Sequence, residues 1–101
     1  MIFEVIHTHS SENCPARSPE HLKPISDWWQ GLKKVPGLKV IGGYVSPLDH
    51  TFYITLEADD FATVTRSLGP LVSIGSGDVI PVLAMDQTLP IAESGAFRAA
   101  R

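Results

Sequence analysis

The chain has one cysteine, Cys14. An internal disulfide is therefore impossible, and a fold held by disulfide staples is excluded. Basic charge is scarce: eight Lys and Arg stand against eleven Asp and Glu, a net charge of -3. Nucleic-acid binding calls for clustered Lys and Arg. The densest basic stretch, Lys33, Lys34 and Lys39, reads as a solvated helix end and strand start. No apolar run is long enough to cross a bilayer, so neither nucleic acid nor membrane is an expected partner. The N-terminus passes directly into Ile2-Phe3-Glu4-Val5-Ile6, without a charged leader or a small-residue cleavage site. The expectation is a mature protein that starts at Met1 and resides in the cytoplasm. Internal repeats and low-complexity segments are missing too.

What is present fits one small domain. With 101 residues, 44% hydrophobic and 19% charged, the chain can bury one core with little to spare. Pairing with a second copy would add to that core. Residues 2–9 are β-branched and aromatic and read as a strand. Residues 10–18 are turn formers. Ser18-Pro19 is a helix start, and Leu22, Ile25, Trp29 and Leu32 form an apolar helical stripe ended by Pro36-Gly37. Pro24 predicts a kinked first turn or a later start of the regular helix. Trp29 reads as core, and Trp28 as the edge of the stripe or an interface.

Residues 38–46 read as a second strand, with Gly42-Gly43 marking a bulge or a close backbone approach. A turn at Ser46-Pro47-Leu48-Asp49 leads into a third strand over 50–57. There Phe52, Ile54 and Leu56 share one face, and Thr51, Tyr53, Thr55 and Glu57 the other. Asp59 is the expected cap of a second helix, with Phe61, Val64 and Leu68 as its stripe, ended by Gly69-Pro70. Residues 78–86 read as a fourth strand, at an edge because Pro81 cannot donate to a ladder. Residues 1–86 thus form a single ferredoxin-like domain, and 87–101 a C-terminal tail ordered by packing on a partner. The order βαββαβ predicts an α+β fold: an antiparallel four-stranded sheet with two helices on one face. The other face, bearing Thr51, Tyr53 and Thr55, is semi-polar. A freely solvated face would carry more charge, so a homodimer packed sheet to sheet around a small cavity is expected.

The opening strand, Val40-Ile41-Gly42-Gly43-Tyr44, His50-Thr51-Phe52-Tyr53 with Leu56-Glu57-Ala58-Asp59-Asp60, and Val79-Ile80-Pro81-Val82-Leu83 resemble small dimeric α/β-barrel proteins. The nearest is the uncharacterised DUF3303-type group, over about residues 1–86. The resemblance implies a dimeric barrel fold. It implies no single activity, because such barrels host monooxygenases, isomerases, haem enzymes and binders. His7-Thr8-His9 and Asn13-Cys14-Pro15 lie outside that pattern.

The residues with chemistry are the four histidines, His7, His9, His21 and His50, and Cys14. His7 and His9 are two apart on a strand, so their imidazoles share a face and can chelate one ion. Cys14 follows on a loop able to fold back over the strand end. A thiolate beside imidazoles suits zinc or copper. In a βαββαβ sheet, strand one ends beside the start of strand three. His9, His50, Cys14 and the helix start bearing His21 therefore converge on one rim. The expected metal ligands are His7 and His9, with Cys14 plus His50 or His21 completing the set. Glu4 and Tyr53 are candidates to line a ligand cavity, with an interfacial carboxylate and hydroxyl as their plainer roles.

Three functions remain open from sequence. One is a metal-binding protein, with zinc favoured and copper close behind, catalytic if a position stays open to a small molecule. Another is a metal-free barrel that binds or transforms a small organic molecule, using His7 or His9 as acid/base and Tyr53 as an orienting donor. The last is an interaction module in which the histidines are incidental.

Overall fold

The computed structural model describes residues 1–98. Four strands make one sheet: β1 (Ile2–His9), β2 (Leu38–Ser46), β3 (Thr51–Ala58) and β4 (Gly75–Val82). They run in the order β2-β3-β1-β4, and every neighbouring pair is antiparallel. α1 (Pro19–Leu32) joins β1 to β2, while α2 (Phe61–Arg66) and α3 (Gly69–Val72) join β3 to β4. This is the ferredoxin-like α+β arrangement expected from the element order. β4 lies at an edge, the position expected for a strand that contains Pro81.

Strand alternation fixes which face is covered. Phe3 and Val5 of β1 and Ile54 and Leu56 of β3 are buried against Leu32 of α1, Val64 of α2 and Leu71 of α3. Each such side chain contributes about 1.5–3 kcal/mol when fully removed from water. Glu4, Ile6, Tyr53 and Thr55 point to the opposite face, away from α1, α2 and α3. Glu4 is not free there, since the Thr55 hydroxyl donates to its carboxylate at 2.7 Å.

Local signals act as the sequence suggests at several points. The Ser18 hydroxyl caps α1 by accepting from the His21 N–H at 3.2 Å. The register shifts between Val40 and Gly42, which is the expected bulge. The Trp29 ring rests on Gly43 so closely that a Cβ there would run into it. Trp28 is half-buried, and its indole N–H donates to the Ser67 carbonyl at 2.6 Å, tying α1 to the end of α2.

Four expectations need correction. Of the two outcomes expected of Pro24, the later start does not occur: α1 begins at Pro19 and includes Pro24. The cap of α2 is Asp60, not Asp59: its carboxylate accepts from the Thr63 N–H at 2.7 Å. Gly69-Pro70 does not simply end that helix. Pro70 opens α3, since a proline early in a helix sacrifices an N–H that had no partner anyway. β4 begins earlier and ends earlier than 78–86, because Gly75 and Gly77 let the strand press against β1 where a Cβ would strike the backbone of Thr8 and Ile6. The released segment forms α4 (Met85–Glu93), so the region read as a tail is partly helical. Residues 99–101 of that tail lie outside the described residues. Among the described residues, no helix is long and apolar enough to cross a membrane.

Candidate metal centre

The site sits where β1 stops and β3 starts. His9 is the last residue of β1, and its N–H donates to the His50 carbonyl at 3.1 Å. That bond fixes the two histidines side by side, with ring centroids 5.5 Å apart. His50 closes the β2–β3 turn with a φ of 51°. A side chain in this left-handed region costs about 1–2 kcal/mol relative to ordinary backbone. The turn holds it there through Ser46, whose hydroxyl donates to the Asp49 carboxylate at 3.0 Å.

Cys14 arrives from the other side. The loop after β1 folds back through the Asn13 N–H, which donates to the Ser10 carbonyl at 3.2 Å. The Asn13 side-chain amide anchors it to the Ile74 carbonyl at 3.4 Å. A 3₁₀ turn, Pro15–Arg17, then follows directly. Cys14 is half-buried and free. Ligand atoms of His9, Cys14 and His50 all lie within 4.8 Å of one another, a spacing that can hold a metal ion.

The chemistry of the donors agrees with that spacing. His9 is only 5% exposed, yet neither of its ring nitrogens has a hydrogen-bond partner. His50 Nδ1 is buried and unpartnered as well. Buried polar atoms are nearly always paired, and leaving one unpaired costs about 1–3 kcal/mol. Three such atoms on two adjacent rings, beside a thiol, are what a metal would satisfy. Burial holds the His9 imidazole below its usual protonation range, and the neighbouring His7 and His50 rings push it the same way. Neutral imidazole is the form that ligates metal.

The remaining sequence candidates fall elsewhere. His7 shares the covered face with His9, their ring centroids 5.6 Å apart. The close donor group is His9, Cys14 and His50 without it, and its Nε2 donates to the Leu71 carbonyl at 2.8 Å. Its ring stacks on Phe52, and burial lowers its pKa while the Leu71 bond opposes the shift. His7 is thus a buttress beside the site, with Nδ1 buried and unpartnered. His21 is exposed and bonded through Nδ1 to Ser18 Oγ at 2.6 Å, so it serves the helix start instead of the group. Glu4 and Tyr53 project from the uncovered face, opposite to His7 and His9. The sheet therefore separates Tyr53 from the imidazoles it was expected to assist.

Two contributors escaped the sequence reading. Phe52 packs against both His7 and His9, at 5.5 and 5.0 Å between ring centroids. Strand alternation did place it on that face, but nothing in the sequence linked it to the histidines. Asn13 anchors the cysteine loop through a residue far along the chain, and only the fold reveals that contact.

No family model matches the chain, and no curated protein matches it.

Proposed function

We propose that this protein binds a transition-metal ion, zinc first and copper next, through His9, Cys14 and His50. The observation that carries this reading is His9: a histidine almost wholly buried, with both nitrogens unpartnered, within ligand distance of a free thiol and a second imidazole. Two imidazoles and a thiolate suit both metals. A set of three protein donors leaves a coordination position for water or a small molecule, where the ion supplies Lewis-acid or redox chemistry. The chain's own part is to hold the His9 imidazole neutral by burial and to fix the spacing of the two rings through the His9–His50 backbone bond.

The test is elemental analysis of protein purified without a histidine tag, joined to thermal melts with added Zn²⁺ or Cu²⁺. Stoichiometric metal, lost in His9→Ala and Cys14→Ser, supports the reading. An ion at a hundred times its Kd stabilises the fold by about 2.7 kcal/mol, roughly 10–20 °C in Tm for a domain this small. No bound metal and no shift in Tm would sink it.

The homodimer expected from the sequence belongs to the same proposal. Its support is the uncovered sheet face, where Ile6, Tyr53, Ile80 and Val82 surround the Glu4–Thr55 pair. A second copy covers such a face sheet to sheet, in keeping with the resemblance to dimeric α/β-barrel proteins.

A further inference from the structure

A cleft of about 240 Å³ opens on the covered side of the sheet, between α1 and the β2–β3 edge. Ile25, Trp28 and Trp29 of α1 form one wall, and Val45, Phe52 and Ile54 the other. Among the described residues, no charged side chain lines it. The indole N–H of Trp28 is spent on the Ser67 carbonyl, so it offers an occupant no bond. Gly43 is required in its shape: the Trp29 ring lies on the Gly43 backbone, and a Cβ would drive the ring outward. Val45, paired with Phe52 on the covered face, stands exposed at the mouth, an apolar group left in water by a chain that has little apolar surface to spare.

Size and lining together define the occupant. A dry cavity of about 150 Å³ is enough to take up benzene. Clefts for drug-sized ligands start near about 300 Å³. The present volume falls between them. Trp28, Trp29 and Phe52 put flat rings among the aliphatic walls, and flat rings bind flat rings by offset stacking or edge-to-face contact. A charged or strongly hydrogen-bonding molecule would be desolvated there without compensation. We propose that this cleft is a binding site for a small, uncharged, planar aromatic molecule of the size of indole or naphthalene. Phe52 is the wall that the cleft shares with the histidine cluster, its ring centroid 5.0 Å from that of His9. The proposal is independent of metal binding and is tested in metal-free protein.

The experiment titrates naphthalene and indole into the full chain, reading tryptophan fluorescence and the NMR signals of Trp28, Trp29 and Phe52. Saturable binding with ring-current shifts confined to these residues is expected. Val45→Trp fills the mouth from an exposed strand position and should weaken binding by about tenfold or more, the scale of misfit in an apolar pocket. Its melting curve and sheet signals verify that the variant is folded. Gly43→Ala should weaken binding too, by pushing Trp29 into the space. Absence of saturation in the wild type would overturn the proposal, and so would equal affinity in a folded Val45→Trp variant. If a second copy fills the cleft instead, the same signals shift with protein concentration and the probes fail to bind. That result also overturns it.

Discussion

A buried imidazole with two unsatisfied nitrogens is unfavourable by itself, so replacing it should help the empty fold. His9→Leu is expected to raise the stability of metal-free protein by about 1–2 kcal/mol in urea melts, while abolishing metal-induced stabilisation. Loss of stability in that variant would mean His9 is an ordinary core residue. His50 offers a parallel case. Gly at its left-handed position relieves strain, so His50→Gly should leave the fold as stable or up to about 1 kcal/mol more so, and weaken metal binding. Acidity acts on the same group. Imidazoles of the unfolded chain take up protons near pH 6.5, whereas folded His7 and His9 resist to lower pH. The unfolded state then binds more protons, and stability increases with pH. Metal-free protein should keep its full stability above about pH 6.5 and lose it as pH falls through the lower folded values. Urea melts across that range check this, and a flat profile would contradict it. The histidine pair was legible from spacing alone, since residues two apart on a strand share a face. The division of labour between them was not. It depends on the Leu71 carbonyl claiming His7, and that carbonyl lies far along the chain.

At the scale of elements, the contact between α1 and β2 decides how tightly the helix layer sits on the sheet. Trp29 and Gly43 are matched there, and the Lys33 ammonium lies 5.1 Å from the Trp29 ring centroid. Gly43→Ala should cost about 1–3 kcal/mol through overpacking. A double change that also makes Trp29→Leu should lose less than the two single losses added together, because the partners are in contact. Full additivity in chemical denaturation would count against the contact. The Gly42-Gly43 pair announced a bulge or a close approach, and both are present. Strand four was misplaced because Gly75-Ser76-Gly77 resembles a turn when read alone, whereas against β1 the missing side chains permit close pairing. The split of the second helix was missed for a related reason: Gly69-Pro70 carries both a stop and a start signal.

For the whole molecule, the βαββαβ order did more than describe the fold. It placed the end of β1 beside the start of β3 and so gathered His9, His50 and the cysteine loop. That convergence was legible from topology, whereas the face opposite to Glu4 and Tyr53 had to be seen in the pairing register. The molecule is elongated, with extents of 52 × 30 × 19 Å and a radius of gyration of 16.1 Å. A compact chain of this length would be near about 13 Å. α4 buries no residue and leaves Met85 and Leu89 exposed. Sedimentation should show a dimer, and Tyr53→Glu on the uncovered sheet face should shift it toward monomer without unfolding it. A monomer at all concentrations would refute the dimer while leaving the metal site standing. The most direct measurement is a Co²⁺ titration of tag-free protein followed by absorption. The expected result is a thiolate-to-cobalt charge-transfer band that saturates at one equivalent, vanishes in Cys14→Ser and weakens in His9→Ala and His50→Ala. The absence of that band, or its persistence in Cys14→Ser, would contradict metal binding by His9, Cys14 and His50.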